Sequence, residues 1–185
     1  MQKLLIGIAG KAGSGKDTAA NYLKLVYDFR SVAFADPIRA GMKAIIGLDD
    51  CHFAHPTKEV VLPEFGKSPR QMMQTLGTEW GRNQVNQDLW LILAGIRKAE
   101  HNSMGWDVVI TDVRFENEAT WIREQGGVIW HILRGDSVAA AHASEAGIYL
   151  YPNEDEVINN NGTLQELYEQ VTALYVKQTR RTKCQ

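Results

Sequence analysis

One stretch near the start of the chain combines glycines and a lysine at a spacing suited to phosphate binding. An apolar run, Leu4 to Ala9, leads into Gly10-Lys11-Ala12-Gly13-Ser14-Gly15-Lys16-Asp17-Thr18, and Ala19 to Tyr27 then has a helical pattern. Glycines at the first and sixth positions followed by lysine are the P-loop pattern, whose backbone N–H groups wrap a phosphate chain at a helix N-terminus. The residues expected to bind the phosphates are Gly13, Ser14, Gly15, Lys16, Asp17 and Thr18.

The P-loop departs from its general pattern at one position. Asp17 stands where a serine or threonine hydroxyl normally reaches Mg²⁺, and Thr18 follows it. Either side chain could hold the metal, directly or through water, because Mg²⁺ keeps several waters and uses few protein oxygens. Asp17 could instead only complement the positive end of the helix dipole. The sequence leaves these alternatives open.

The composition narrows the class of protein. The chain has 185 residues, of which 44% are hydrophobic and 23% charged, as in an ordinary globular domain. Its net charge of −2 argues against a broad nucleic-acid surface. It has neither an apolar run of membrane-spanning length nor a signal-peptide layout, and its two cysteines, Cys51 and Cys184, are too far apart to suggest a disulfide framework or metal site. We expect a cytoplasmic domain without nucleic-acid or membrane partners, and a homodimer is left open.

Strand and helix patterns alternate along the chain. Strands are predicted at Leu4–Ala9, Val32–Ala35, Trp106–Thr111, Val128–Leu133 and Val157-Ile158. Apolar strands separated by helices indicate a parallel sheet that is covered on both faces. The predicted fold is therefore α/β, a three-layer sandwich with a five-stranded parallel sheet and helices on both faces.

Cap residues mark several helix boundaries. Asp36 is predicted as the N-cap of a helix that ends near Ile46, and Ser68-Pro69 starts another. Leu89–Ala99 is apolar on nearly every side and is predicted to be buried. Residues 47–67 show no sustained period and are interpreted as an excursion or loop. Thr163 is predicted to cap the last helix, and Arg180–Lys183 to form a disordered, solvated tail.

Charged and polar residues follow the predicted strands. Ligands of parallel α/β sheets bind outside the carboxyl ends of the strands. Besides the P-loop, the residues in such places are Asp36, Asp112, Arg114, Arg134 and Asn159–Gly162. Asp112 takes the place where P-loop proteins usually carry an acid near Mg²⁺.

Two large classes of P-loop protein lack support in this sequence. A GTPase should contain an Asn-Lys-x-Asp tetrad, and the chain has no Asn-Lys pair. A transporter ATPase should contain Ser-Gly-Gly-Gln, which is also absent. A short chain with arginines at several strand and helix ends instead suits a nucleotide kinase, because phosphoryl transfer needs positive charge and in-line positioning.

Several blocks of sequence carry a resemblance to one family. They are Ser14–Ala20, Phe34–Arg39, Pro69–Glu79, Asp107–Ala119, His142–Glu145 and Ile158–Thr163. In these blocks the chain resembles the bacteriophage deoxynucleoside monophosphate kinases and, more distantly, the dephospho-CoA kinases. The Leu76–Glu79 and Asp112–Phe115 blocks together are far more specific than the P-loop. The resemblance implies a P-loop kinase that uses ATP and Mg²⁺.

The resemblance also implies an acceptor site. Asp36 would position or deprotonate the acceptor phosphate; its alternative role is that of a helix cap, and an aspartate can do both. Arg39 would point toward the same phosphate, with a solvated surface arginine as the alternative. Arginine forks bind phosphate bidentately, whereas Gln, Thr and Glu suit a base edge or sugar. The monophosphate-binding residues expected are Asp36, Arg39, Arg70, Gln74, Thr78, Glu79, Arg82, Arg114 and Glu118. Glu118 has the alternative role of capping the next helix.

The remaining expectations concern the donor nucleotide and its lid. By resemblance, Asn160 and Gly162 would lie against the adenine of ATP, although an asparagine–glycine tract is also a favourable turn. Residues 135–148 take the place of a lid but lack an arginine beyond Arg134, so His142 and Glu145 are alternatives for part of that role. The catalytic residues expected are Lys16, Asp36, Arg114 and Arg134, with Mg²⁺ near Asp17, Thr18 and Asp112.

The sequence as a whole predicts one kinase domain over residues 1–185, with an acceptor-binding helical region at about 37–104. Its expected reaction is ATP-dependent phosphorylation of deoxynucleoside 5′-monophosphates to diphosphates, supplying DNA precursors, in the host cytoplasm if the chain is phage-encoded. Two alternatives remain at this stage. One is a kinase for another phosphorylated metabolite such as dephospho-CoA, and the other is a non-catalytic ATP-binding switch.

Overall fold

The computed structural model describes residues 3–135 and 148–183, without the side chains of Thr182 and Lys183. The strands of this part are β1 (Leu5–Ala9), β2 (Arg30–Val32), β3 (Val108–Ile110), β4 (Val128–Leu133) and β5 (Glu156–Asn159). Its α-helices are α1 (Lys16–Tyr27), α2 (Asp36–Ile46), α3 (Pro69–Gln74), α4 (Leu89–Ser103), α5 (Glu116–Glu124) and α6 (Leu164–Lys183). Helix α3 continues as a wider π-helix over Thr75–Val85, and two 3₁₀ turns lie at Asp50–Phe53 and Thr57–Glu59.

The first strand of the chain lies at the centre of the sheet. The strand order is β2-β3-β1-β4-β5, and every neighbouring pair is parallel. In β1, Leu5 lies opposite Val108 of β3, and Ile6 lies opposite Val128 of β4. Because parallel strands end at the same edge, the segments that follow them are brought to one side of the sheet.

Helices cover both faces of this sheet. On one face, α1 and α6 pack in a core that includes Leu23, Phe29, Trp130 and Leu167. On the other face, α5 lies so close that a Cβ at Gly7 would be 2.7 Å from Ile122 Cδ1. The predicted three-layer α/β fold with five parallel strands is confirmed.

The predicted second strand is displaced. Pairing covers Arg30–Val32 and not Val32–Ala35, with Arg30 N donating to Asp107 O at 2.8 Å. Ala33 and Phe34 are apolar because they are buried in the turn that leads to α2, not because they pair. The N-cap of α2 is Ala35, so the prediction that Asp36 is the cap is also wrong. Asp36 is the first helical residue instead, where its negative charge interacts favourably with the positive end of the helix dipole.

Two further predictions are wrong, one about the burial of a helix and one about disorder at the end of the chain. Helix α4 buries Trp90, Leu91 and Ala94, but Ile92 and Ile96 are 48% and 52% exposed, so the helix has one buried side and one open side. The predicted tail at Arg180–Lys183 is part of α6. It is ordered by Glu156 of β5, which accepts hydrogen bonds from Lys177 Nζ at 2.7 Å and Arg181 NH1 at 3.4 Å.

The chain divides into two compact units. The first contains Met1–Ala33 and Arg97–Gln185 and holds the sheet, and the second contains Phe34–Ile96. The second unit includes α2, α3 with its π-helix, and residues 47–67, here called the 47–67 segment. The function assigned to residues 37–104, acceptor binding, stays a prediction.

None of the helices described in the two ranges 3–135 and 148–183 is long and apolar enough to cross a membrane.

Candidate active site

The P-loop is held open by glycine conformations. Gly13 and Gly15 have φ values of 76° and 102°, in the left-handed region that side chains with a Cβ rarely adopt. A Cβ at Gly10 would lie 2.5 Å from the carbonyl oxygen of Ile132. Gly15 is the N-cap of α1 and carries no side chain to occupy the N–H groups of the first turn. The loop therefore presents backbone donors and a helix N-terminus, the arrangement that binds phosphate.

Lys16 is folded back onto the loop that precedes it. Its Nζ donates to the carbonyl oxygens of Gly10 and Lys11, both at 2.7 Å. Burial lowers the pKa of the lysine below its usual 10.5, the carboxylate of Asp17 raises it, and the positive charge of Arg114 lowers it. Burial is the largest of these three effects.

Residues that follow β4 and β5 contact the P-loop. Asn160 is buried and its Nδ2 donates to the carbonyl oxygen of Ser14 at 2.7 Å, while Arg134 NH1 donates to Gly13 O at 3.4 Å. Gly135 N, after β4, donates to Asn161 Oδ1 at 2.6 Å. These contacts gather the ends of three strands around one loop. Gly162 is exposed in the turn before α6, which Thr163 caps by accepting from Glu166 N at 3.3 Å, as predicted.

One polar atom of the P-loop is unsatisfied. Ser14 is 3% exposed, and its Oγ has no hydrogen-bond partner in the part of the chain that the structure describes. A buried hydroxyl without a partner is costly, so such an atom in a native protein needs an explanation. A ligand oxygen in the loop would supply the missing partner.

Glu118 holds the backbone that carries Arg114. It is 2% exposed, and its Oε2 accepts from Arg114 N at 2.8 Å and from Phe115 N at 3.2 Å. This is the alternative role of helix cap that the sequence left open. The carboxylate also fixes the turn from which the exposed side chain of Arg114 extends. Direct monophosphate binding by Glu118 stays a prediction.

The oxygen donors predicted for Mg²⁺ differ in exposure. Asp17 is exposed, whereas Thr18 and Asp112 are half-buried. Carboxylate and hydroxyl oxygens are hard ligands of the kind that Mg²⁺ uses. Their chemistry fits the metal, and the choice between Asp17 and Thr18 stays open.

In the second unit, Asp36 and Arg39 form a pair on the first turn of α2. Arg39 NH1 lies 3.3 Å from Asp36 Oδ1, and both side chains are more than a third exposed. Exposed pairs of this kind contribute little to stability. Both groups therefore lie at the surface of the unit, and their roles toward an acceptor phosphate stay predictions.

Arg70 has a partner that the sequence did not indicate. Its Nε donates to Glu59 Oε1 at 2.6 Å, and both side chains are about half-exposed, at 43% and 44%. The start of α3 is fixed by a capping box in which Ser68 and Gln71 exchange hydrogen bonds, as the Ser68-Pro69 prediction implied. Glu59 precedes Arg70 by eleven residues in a stretch without period, so no sequence pattern could connect them.

The rest of the predicted acceptor set lies on or beside the π-helix. Gln74, Thr78 and Glu79 are exposed, and Arg82 is half-buried. Gly77 and Gly81 let the π-helix approach its neighbours, since a Cβ at Gly77 would lie 2.9 Å from Ile38 Cδ1. Trp90 Nε1 donates to Gly77 O at 2.7 Å, which anchors the turn that carries Thr78 and Glu79.

The predicted lid, residues 135–148, lies outside the described residues except at its two ends. His142 and Glu145 are therefore also outside them. Arg134, at the end of β4, is the predicted lid-side cation that the structure does describe, and it contacts the P-loop.

A second charged cluster of the first unit was not predicted. Asp155, whose side chain is fully buried, accepts from Arg123 Nε and NH2 at 3.0 and 2.8 Å and lies 3.2 Å from His131 Nε2. Arg123 NH1 also donates to Glu116 Oε1 at 3.0 Å. The carboxylate would be costly to bury alone, but paired in this way it ties α5, β4 and the approach to β5 together.

Comparisons with known proteins agree with this geometry. A sequence model described as deoxynucleotide monophosphate kinase matches residues 48–171. A protein of Acanthamoeba polyphaga mimivirus assigned as a deoxynucleotide monophosphate kinase is 35% identical, with 91% of this chain and 94% of that protein covered. The deoxynucleoside-5′-monophosphate kinase of Escherichia phage T5 is 28% identical, with 84% and 89% covered.

Solved structures support the fold independently. A sugar kinase from Janibacter sp. aligns with a TM-score of 0.50 over 93% of this chain and 94% of that one, at 15% identity. At this identity the likeness concerns the fold alone. The sequence relatives carry the assignment further, because they match through both compact units and not only through the P-loop. The chain therefore belongs to the deoxynucleotide monophosphate kinase family.

Proposed function

We propose that the chain transfers the γ-phosphoryl group of ATP to a deoxynucleoside 5′-monophosphate, giving the diphosphate and ADP. In a phage-infected cell the product would feed DNA synthesis, and the reaction would take place in the host cytoplasm. Family membership supports the kinase reaction and the class of acceptor. The observation that carries the proposal is the P-loop itself, where left-handed glycines expose the start of α1 and Lys16 Nζ lies 2.7 Å from the carbonyl oxygens of Gly10 and Lys11.

The first unit is proposed as the donor site. Backbone N–H groups of Gly13, Ser14 and Gly15 and the ammonium of Lys16 would bind the phosphates of ATP. Asn160 and Gly162, in the turn after β5, are proposed beside the adenine. Arg114 and Arg134 would stabilise the negative charge on the transferring phosphoryl group, since most catalysis of this reaction is electrostatic.

Mg²⁺ is proposed as the cofactor. It would neutralise charge on the ATP phosphates, and the chain offers oxygens of Asp17, Thr18 and Asp112 toward it. Lys16 Nζ, which donates to the carbonyl oxygens of Gly10 and Lys11 in this structure, would bind the same phosphates when ATP is present.

The second unit is proposed to bind the monophosphate. Arg39 and Arg70 would bind its phosphate, Asp36 would orient or deprotonate it, and Gln74, Thr78, Glu79 and Arg82 would contact its base or sugar. Arg114 is also proposed to bind the phosphate of the acceptor. The exposure of Gln74, Thr78 and Glu79 on one anchored turn supports this assignment, because polar side chains that face solvent can reach a ligand.

An activity assay tests the proposal. The purified chain is incubated with ATP, Mg²⁺ and, separately, each deoxynucleoside and ribonucleoside monophosphate and dephospho-CoA, and ADP and the phosphorylated acceptor are measured. We expect turnover with at least one deoxynucleoside monophosphate.

Lys16→Ala should lower kcat on the order of 10²-fold or more, because the lysine charge is used as the phosphoryl group transfers. Lys24→Ala, which removes an exposed lysine from the last turn of α1, is the matched control and should retain activity.

The other outcomes identify the rival functions. Turnover with dephospho-CoA alone would replace the proposed acceptor with another phosphorylated metabolite. Tight ATP binding without turnover on any acceptor would favour the nucleotide-binding switch and reject the kinase proposal.

A further inference from the structure

A cluster of three metal-binding side chains lies in the 47–67 segment, apart from the residues assigned to either nucleotide. Asp49, Cys51 and His52 each place one ligand atom within 4.8 Å of the other two. His52 Nδ1 lies 2.7 Å from Asp49 Oδ1 and 3.7 Å from Cys51 Sγ. The two cysteines of the chain are far apart in sequence, so the pattern of cysteines alone gave no sign of this site.

The three groups are the chemical set that zinc prefers. Zn²⁺ binds thiolate at about 2.3 Å and imidazole at about 2.0–2.1 Å with tetrahedral geometry, which separates the two ligand atoms by about 3.6 Å. The observed 3.7 Å between Cys51 Sγ and His52 Nδ1 fits this value. The 2.7 Å between Asp49 Oδ1 and His52 Nδ1 is shorter than two ligands of one metal would leave. Metal binding would therefore move the carboxylate and replace the hydrogen bond that Asp49 N donates to His52 Nδ1 at 3.2 Å.

Local structure fixes the three donors in place. They lie at the start of the 3₁₀ turn Asp50–Phe53, and Asp49 Oδ1 accepts from Cys51 N at 3.1 Å. The turn is anchored on one side by Leu48, which is 6% exposed, and on the other by Lys43 of α2, whose Nζ lies 2.5 Å from Asp50 Oδ1. Because Lys43 pairs with Asp50, the neighbouring Asp49 remains the carboxylate for the metal.

The charges of the turn also favour a cation. Two carboxylates, those of Asp49 and Asp50, adjoin Cys51 in the sequence of the turn. A bound divalent cation would balance their charge and stabilise the Cys51 thiolate directly. A soft thiolate ligand selects zinc over magnesium, so this site would not compete for the Mg²⁺ of the donor nucleotide.

We propose that Asp49, Cys51 and His52 bind one zinc-type divalent cation, with water in the fourth position. On binding, the S–H bond of Cys51 breaks, an S–metal bond forms, and the proton leaves to solvent. Asp49 and Cys51 are exposed, which leaves room for the water. The proposal does not depend on which acceptor the enzyme phosphorylates.

Cobalt(II) is the probe for the test, since it takes zinc sites and reports thiolate ligation by absorption. The full chain is treated with a chelator, desalted and titrated with Co²⁺ and then with Zn²⁺. We expect one Co²⁺ per chain, a thiolate-to-metal absorption band, and loss of that band when Zn²⁺ displaces the cobalt. Cys51→Ser should abolish the band, while Cys184→Ser, which removes the other cysteine, should keep it.

Two more variants separate ligation from turn structure. Asp49→Asn keeps a side chain that can cap the turn but removes the anionic ligand. His52→Gln removes the imidazole ligand. Each of these two variants should weaken Zn²⁺ binding by more than ~10–100-fold, which is the loss typical when a residue that only hydrogen-bonds to a metal ligand is removed. His55→Gln, three residues beyond the cluster, should bind as the unchanged chain does.

The proposal is overturned if Co²⁺ binds without a thiolate band, if Cys51→Ser keeps the band, or if the band is lost in Cys184→Ser. Should Cys51→Ser fail to fold, the affinities of Asp49→Asn and His52→Gln decide, and unchanged binding in both rejects the site.

Discussion

At the scale of single residues, the charges around Lys16 set how readily its ammonium group loses a proton. Burial and Arg114 each lower the pKa of Lys16, and Asp17 raises it. The unusual acid in the P-loop therefore has a consequence even if it never touches a metal. Its charge opposes the two effects that lower the pKa of the lysine.

The pH dependence of the reaction can test this balance. Lys16 acts when protonated, so its contribution is lost as pH rises through its pKa. Asp17→Asn removes the charge that raises the pKa and should move the alkaline limb of kcat/KM for ATP to lower pH. Arg114→Gln should move the same limb to higher pH while also lowering the rate.

The control for this prediction is Asp28→Asn at the other end of α1. Twelve residues of helix place it about 18 Å away, beyond the Debye length of about 8–10 Å in ordinary buffer. In Asp28→Asn the alkaline limb of kcat/KM for ATP should therefore be unchanged. Shifts of the same sign for Asp17→Asn and Arg114→Gln would contradict the charge assignment.

At the scale of elements, Glu59 and Arg70 join the 47–67 segment to the start of α3. The carboxylate of Glu59 now occupies the Nε edge of the guanidinium that we assign to the monophosphate. Glu59 and the monophosphate are both anionic, and they would compete for the guanidinium of Arg70. The pair is half-exposed, which limits its strength.

Two substitutions should change the KM for the monophosphate in opposite directions. Arg70→Ala should raise it with a smaller effect on kcat, because the arginine holds ground state and transition state alike. Glu59→Gln should lower it by up to about fivefold, the equivalent of an exposed pair worth at most about 1 kcal/mol. Steady-state kinetics with the monophosphate varied measure both, with Glu64→Gln, another acid of the same segment, as control. An unchanged KM in Arg70→Ala would remove Arg70 from the acceptor site.

The elements also show what sequence could and could not predict. The P-loop, the Ser68 cap and β4 were predictable because their signals are local: glycine spacing, a cap with proline, and an unbroken apolar run. Strand β2 was predicted too far along the chain because Ala33 and Phe34 are buried in a turn. Buried residues are apolar whether or not they pair in a sheet, so the sequence pattern does not distinguish the two cases. The order of Arg181 and the contact of Arg70 with Glu59 depend on partners distant in the chain. Which of Asp17 and Thr18 faces the metal depends on the geometry of the bound nucleotide and metal, which is set neither by the sequence of the P-loop nor by its backbone.

At the scale of the whole molecule, the buried acid Asp155 links stability to pH. Burial alone would raise the pKa of its carboxyl, but hydrogen bonds from His131, Arg123 and Tyr151 N lower it to about 2. A pKa below the unfolded value means that the stabilisation is complete above pH ~4 and is lost as pH falls toward 2. From this difference we expect about 2 kcal/mol of the free energy of unfolding to disappear over that range.

Urea unfolding at a series of pH values measures this loss. Asp155→Asn should be less stable than the unchanged chain at pH 7, and the difference should shrink as pH falls below about 4, because both then lack the charge. A difference that stays constant from pH 7 to the acid limit would show that the cluster acts through packing and not through the carboxylate charge.

The central position of β1 also has a consequence for how the chain is made. Leu5–Ala9 is synthesised before the other strands of this sheet, and its neighbours begin only at Val108 and Val128. At ribosomal rates of about 5–20 residues per second, this apolar strand waits about 5–20 s for its first partner. During that interval an unpaired strand edge is open to other chains, and the compact unit at 34–96 is already complete. Yield in the cell should therefore depend on chaperones that cover a nascent strand, more than on the stability of the finished fold.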